Sequence, residues 1–332
     1  MIIIGGLLYA SFFIQPTVSG KALAPTFIDR RDHLYSIVSP SKDRIVVVGS
    51  KGKVLAFEQK SGTWEVTRGI SGTQGHLQSI DAWDQKRLVV VGNDGVALHT
   101  EDGGQNWLKG AVPRSRISNK LIRVKAVKDG YAYAVGESNT FLATFDYGAT
   151  WKRVLPEEDR ALYGLDVSER KFVAVGEFGG IVISNDAGTT WTKPKPAVTA
   201  HLQGVAIGAD GRMVAVGLNG AIVHSGDGGL TWHEVKTEIT SHLYDVAWIG
   251  NEFIVCGDRA VLFASSDGEQ WAPINRDTAV RQDFVWFTQV RGYSDGVLLA
   301  GSKVVIASQG KLTELSELLT KSNPPSTATK IK

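Results

Sequence analysis

The chain has 332 residues, 43% of them apolar and 21% charged, which is the balance of a soluble globular protein. Its formal charge of +2 is too small for a general nucleic-acid or membrane-surface binder, so any basic function must be local. Glycine is abundant at 37 and tryptophan at 9 against only 2 methionines, favouring tight turns and aromatic packing over helical bundles.

In chain order, Ile2 to Ile14 is almost wholly apolar and is followed by small residues up to Ala24, which reads as a secretory signal peptide over 1–24. The run is shorter than the roughly 20 residues of a transmembrane helix. It lacks a preceding Lys or Arg, and Pro25 follows directly, so a buried first strand or a retained anchor is the competing reading. Cys256 is the only cysteine and rules out an internal disulfide; within the apolar run FIVCG it reads as buried packing, not as a nucleophile.

From there the chain repeats itself. Trp64, Trp107, Trp151, Trp191, Trp232 and Trp271 recur at intervals of 39 to 44 residues. Four of them close a Ser/Thr-x-Asp-x-Gly-x-x-Trp frame, in TEDGGQNW, TFDYGATW, SNDAGTTW and SGDGGLTW, with a shortened SSDGEQW at Ser265. In this frame Asp102, Asp146, Asp186, Asp227 and Asp267 accept backbone N–H bonds around a turn, and the Trp starts the next strand. Upstream, each unit has a short strand opening on His-Leu or its equivalent and a β-branched run ending in Gly, as in HLQSID…RLVVVG. Four short strands per unit and seven units of about forty residues predict an all-β, seven-bladed β-propeller over 25–316.

Ring closure is expected from Phe27 to Arg30 adding the outer strand of the last blade, with Lys311 to Leu315 as the competing candidate. Residues 317–332, rich in Pro, Ser and Thr, read as a disordered tail.

Repeated Asp boxes resemble those of the bacterial neuraminidase repeat superfamily, which includes sialidases, but the Arg-Ile-Pro element of sialidases does not occur here. Tyr35, Tyr163 and Tyr244 fall at equivalent repeat positions and read as packing residues. The chain more closely resembles the photosystem II stability and assembly factor family of bacteria and chloroplasts, in GLNGAIVHSGDGGLTW at Gly217 to Trp232 and GEFGGIVISNDAGTTW at Gly176 to Trp191. That resemblance covers roughly Leu34 to Ser308. It implies an exported, non-enzymatic propeller, periplasmic or in a thylakoid lumen, that holds membrane-protein partners during assembly.

Three groups of residues are candidates for chemistry. His33, His76, His201 and His242 precede Leu at the start of the first strand and are expected to form a rim around the central opening; Lys120 and Ala161 interrupt the series, and the spacing of a seven-fold ring disfavours a shared metal ion. Glu137, Glu177 and Asp258 follow the repeat Gly and read as exposed turn residues. The stretch Lys109 to Lys125 carries Arg114, Arg116, Lys120, Arg123 and Lys125 without one acid, and Arg30 and Arg31 occupy the corresponding connection into blade one. Such a loop can dock an acidic protein surface or anionic lipid headgroups, with a solvated loop kept soluble by its charge as the competing reading, while the lack of interleaved aromatics disfavours nucleic acid.

These expectations describe a monomeric, non-catalytic scaffold with no metal or other cofactor, whose partner is a membrane-protein complex. A sialidase-related glycan-binding or glycoside-cleaving propeller and an accessory subunit of an envelope transporter are the alternatives.

Overall fold

The computed structural model describes residues 32–274, 284–294 and 296–318. The signal-peptide reading, Phe27 to Arg30, Arg30 and Arg31, and 319–332 of the expected tail lie outside them. Among the described residues no helix is long and apolar enough to cross a membrane.

Seven antiparallel sheets follow one another along the chain, each a meander from an inner to an outer strand, giving a seven-bladed β-propeller. Blade one comprises Leu34–Ser41, Arg44–Gly49, Lys53–Lys60 and Thr63–Ile70. The inner strands of the next six are Leu77–Ala82, Leu121–Ala126, Leu162–Ser168, Leu202–Ile207, Leu243–Ile249 and Phe287–Tyr293. In blade four the outer strand shrinks to a single bridge between Ile183 and Thr192.

The second strand of each blade is the most deeply placed. LVVVG at Leu88–Gly92, AYAVG at Ala132–Gly136 and MVAVG at Met213–Gly217 are buried at every position, because both faces of each blade pack against a neighbour. The apolar clusters accordingly join adjacent blades: Val46, Val48 and Val54 of blade one meet Leu77, Ile80, Leu88 and Val90 of blade two. The Gly that ends each of these strands is required by a close approach. A Cβ on Gly92 would lie 2.3 Å from the His76 carbonyl oxygen, and one on Gly217 would lie 2.2 Å from that of His201.

The turn after the third strand takes two forms. Where the motif Asp is present, as at Asp227, its Oδ1 accepts from the Ser225 hydroxyl at 2.8 Å and from the Thr231 N–H at 2.9 Å, while Trp232 Nε1 donates to the Gly229 carbonyl at 3.0 Å. Asp102, Asp146, Asp186 and Asp267 accept equivalent bonds. Trp151, Trp191 and Trp271 donate like Trp232, whereas the Trp107 indole N–H is buried without a partner. Blades one and seven lack the Asp and use two-residue hairpin turns instead, Ser61-Gly62 and Gln309-Gly310, with positive φ at both residues as primed turns demand.

Closure differs from the expectation. Lys311–Glu314 pairs with Val304–Ser308 and fills the outer position of blade seven, so the competing candidate takes the place assigned to Phe27 to Arg30. Every blade is therefore one contiguous piece of chain. The ring is joined by side chains of inner strands that accept N–H bonds from the following blade: Ser36 from Ile80, Ser79 from Val124, Asp166 from Ile207 and Asp245 from Val290. The last junction is made by Gln289 Oε1, which accepts from the Ile37 N–H at 2.6 Å and the Ser36 hydroxyl at 2.8 Å. Leu315 is buried and the part-buried Leu318 packs on the same cluster between blades one and seven.

Candidate partner-binding face

Connections between blades, the starts of the inner strands and the three-residue turns after the second strands all emerge on one side of the ring, here the upper face; the Asp turns lie on the lower face. Among the described residues, each sequence-predicted group except the Asp turns belongs to the upper face or to the axis beneath it.

The basic stretch divides in two. Arg114 and Arg116 are exposed, and Ile117 between Arg116 and Ser118 is 62% exposed. The loop that carries them is held in shape from within: the Ser115 N–H donates to Asn119 Oδ1 at 2.8 Å, the Ile117 N–H donates to Ser115 Oγ at 3.0 Å, and the Ser118 hydroxyl donates to Glu137. Lys120 is half-buried at its end. Arg123 and Lys125 leave this surface, contrary to the expectation that the whole stretch docks a partner. Both sit on the inner strand Leu121–Ala126, where the ring converges. Arg123 reaches Asp245 at 3.2 Å, Arg291 meets the same carboxylate at 3.4 Å, and Lys125 pairs with Asp166 at 3.0 Å. Burial pulls the Arg123 guanidinium pKa down against the opposing pull of Asp245, while the Asp166 carboxylate holds Lys125 above the ordinary lysine value. The axis thus holds three cations paired with two carboxylates from other blades.

The rim histidines mark seams between blades. His33 lies with its ring 5.2 Å from that of Trp286, across the closure from blade seven to blade one. Tyr35 Oη is 3.4 Å from His76 Nδ1, and the Phe178 ring of blade four meets His201 of blade five edge-on at 5.0 Å. His242 Nδ1 accepts from the Asn219 N–H at 2.9 Å. None of the four belongs to the one group of three His, Cys, Asp or Glu residues, among the described residues, whose ligand atoms come within 4.8 Å of one another.

The carboxylates after the repeat Gly are engaged within their blades. Glu177 accepts from the Ala161 N–H at 2.9 Å and from the Tyr163 hydroxyl at 3.1 Å. Burial first, and then Glu177, pushes the Tyr163 phenol up to about 12; burial and Asp258 do the same to Tyr244.

Sequence reasoning missed a cavity of about 250 Å³ on this face, between the connections entering blades four and five. Leu162, Ile181 and Val182 contribute apolar lining, and Asn139, Arg160, Lys195 and Pro196 are among its polar and rim residues. Arg160 and Lys195 are exposed, and the nearby Phe178 is 57% exposed with φ +55°, a rare conformation for a bulky side chain. The signal available was KPKP at Lys193 to Pro196, whose alternating prolines favour an extended connection and whose residues line the cavity.

No protein-family profile and no curated protein matches the sequence. Solved structures do. One described as YCF48 bound to D1 peptide superimposes with a TM-score of 0.67 at 21% identity, over 86% of this chain and 94% of that one. The chain is similar in structure to YCF48. YCF48 from Cyanidioschyzon merolae matches with a TM-score of 0.65 at 16% identity, over 88% of this chain and 98% of the other. A GH74 xyloglucanase from Xanthomonas campestris matches with a TM-score of 0.65 at 14% identity, but this chain spans only 55% of it. At these identities the likeness to YCF48 and to the xyloglucanase establishes the shared propeller fold.

Proposed function

We propose that this protein is an exported, non-catalytic propeller scaffold that binds an extended acidic segment of a membrane-protein partner across its upper face during assembly of a complex. The observation that carries this reading is the placement of Arg114 and Arg116, without ion-pair partners among the described residues, on the same face as a cavity of mixed lining in which Arg160, Lys193 and Lys195 stand with Glu158 and Glu177. Arginines on a pre-shaped loop steer and orient an acidic chain, and a pocket elsewhere on the same face can hold one of its side chains. The likeness to YCF48, a photosystem II assembly factor with a structure in complex with a peptide, supports a protein partner. The axial carboxylates speak against glycoside hydrolysis here, since Asp245 and Asp166 are each committed to cations and backbone N–H groups. A glycosidase needs two carboxylates free to act as acid and as base or nucleophile.

Fluorescence anisotropy with a labelled peptide alternating Asp and Leu, against its Asn/Leu counterpart, tests the reading. The acidic peptide should bind at least tenfold more tightly, and Arg114→Glu with Arg116→Glu should remove that preference without shifting the melting temperature. Equal binding of the two peptides, or preference retained in the variant, overturns the assignment of this face. Release of reducing sugar from xyloglucan would favour the glycoside-hydrolase reading instead.

A further inference from the structure

Near the Asp-turn face, the third and fourth strands of blades two to six carry one equivalent cross-strand pair each. The pairs are His99 with Leu108, Ala143 with Lys152, Ile183 with Thr192, His224 with His233 and Ala264 with Ala272. Blade five alone has an imidazole at both places. Directly opposed residues project to the same side of a sheet, and the two rings lie 5.3 Å apart. Across the seam, the turn of blade six brings Glu269 between them, with Oε1 at 2.7 Å from His224 Nδ1 and 2.8 Å from His233 Nε2.

The blade-six turn is built for this approach. It is one residue shorter between Asp267 and Trp271 than its counterparts, and its Gly268 rests on the histidine: an added Cβ would lie 2.8 Å from His224 Cδ2. His224 is 8% exposed, and neither of its ring nitrogens makes a well-directed hydrogen bond, although Nδ1 faces the carboxylate at short range. A buried imidazole with neither ring nitrogen in a directed hydrogen bond calls for a further partner, and an ion is one that fits.

We propose that His224, His233 and Glu269 form a binding site for a divalent transition-metal ion of the zinc class, tying blade five to blade six. Two imidazoles and a carboxylate suit zinc and its neighbours, whereas magnesium and calcium prefer all-oxygen surroundings. The three ligand atoms already lie within 4.8 Å of one another, and His233, 58% exposed, is free to adjust to the metal–nitrogen bond of about 2.0–2.1 Å. Water completes the coordination on the exposed side. Burial lowers the pKa of His224, with His233 and Arg212 acting in the same direction and Glu269 against them.

The probes are Zn²⁺ and Co²⁺ added to the tag-free full chain. Calorimetry should find one tight zinc equivalent, the melting temperature should rise with zinc, and cobalt should give a visible absorption band of a nitrogen- and oxygen-ligated site. His233→Ala and Glu269→Gln, both at exposed or half-exposed positions, should each weaken zinc binding at least tenfold and abolish the thermal rise while leaving the metal-free melting temperature near that of the parent. The proposal is overturned if no zinc binds, or if His233→Ala and Glu269→Gln each bind zinc with parental stoichiometry and affinity.

Discussion

The guanidinium of Arg123 in the third blade lies 3.2 Å from Asp245 Oδ1 in the sixth, three blades away, so this pair spans the axis of the ring. Asp245 also holds Arg291 and accepts the Val290 N–H at 3.1 Å. Removing the acid leaves the largely buried Arg123 without its carboxylate and Arg291 with only the Val290 carbonyl among the described residues, whereas removing Arg123 leaves Asp245 with its remaining partners. Asp245→Ala should therefore lower stability by about 3–5 kcal/mol, and Arg123→Met by clearly less. Urea unfolding of both variants decides it; equal losses would show that the axial pair does not have this asymmetry.

Gln289 joins the last blade to the first. With its oxygen gone, the Ile37 N–H and the Ser36 hydroxyl lose a buried acceptor, although Ser36 retains its bond with Ile80. Gln289→Leu should cost about 1–3 kcal/mol. Hydrogen exchange at the Ile37 amide should accelerate beyond that at the amide of Val124, which lies at another seam.

Acid should weaken the lower-face turns. The Asp227 carboxyl falls from the ordinary value of 3.8 to about 2, chiefly because the Thr231 hydroxyl and N–H donate to its charged form. A folded-state pKa depressed in this way contributes stability above the unfolded value, lost as pH falls through about 2. Denaturant midpoints should therefore drop between roughly pH 4 and pH 2, and Asp227→Asn should reduce that slope while lowering stability at neutral pH.

Cys256 should be inert in the native protein. Its side chain is fully buried, its thiol faces the Phe287 carbonyl at 3.4 Å, and burial pushes its pKa well above the usual thiol value. Ellman's reagent should react only after unfolding, and Cys256→Val should change stability by less than about 1.5 kcal/mol. Rapid labelling at neutral pH would contradict that placement.

Much of this architecture was legible in the sequence because it is local and repeated. The seven units, the Gly that a neighbouring carbonyl excludes from bearing a side chain, and the turns built on Asp227 and its equivalents each follow from a few consecutive residues and their backbone needs. Even the loss of the Asp in blades one and seven was written locally, in Ser61-Gly62 and Gln309-Gly310. Burial of Cys256 followed from the same apolar run that buries its equivalents.

Other features depend on residues brought together by the closed ring. A run of like charges from Lys109 to Lys125 reads as one patch, yet it crosses from a connecting loop into an inner strand at Leu121. Arg114 and Arg116 stay in solvent while Arg123 and Lys125 meet acids 122 and 41 positions further along the chain. The same distance in sequence hid the cavity beside Arg160 and the meeting of His224 and His233 with Glu269. A linear pattern specifies the period of each strand, and therefore the blade; only the seven-fold arrangement of blades sets which side chains share the axis, a seam or a face, because those distances depend on how the sheets pack.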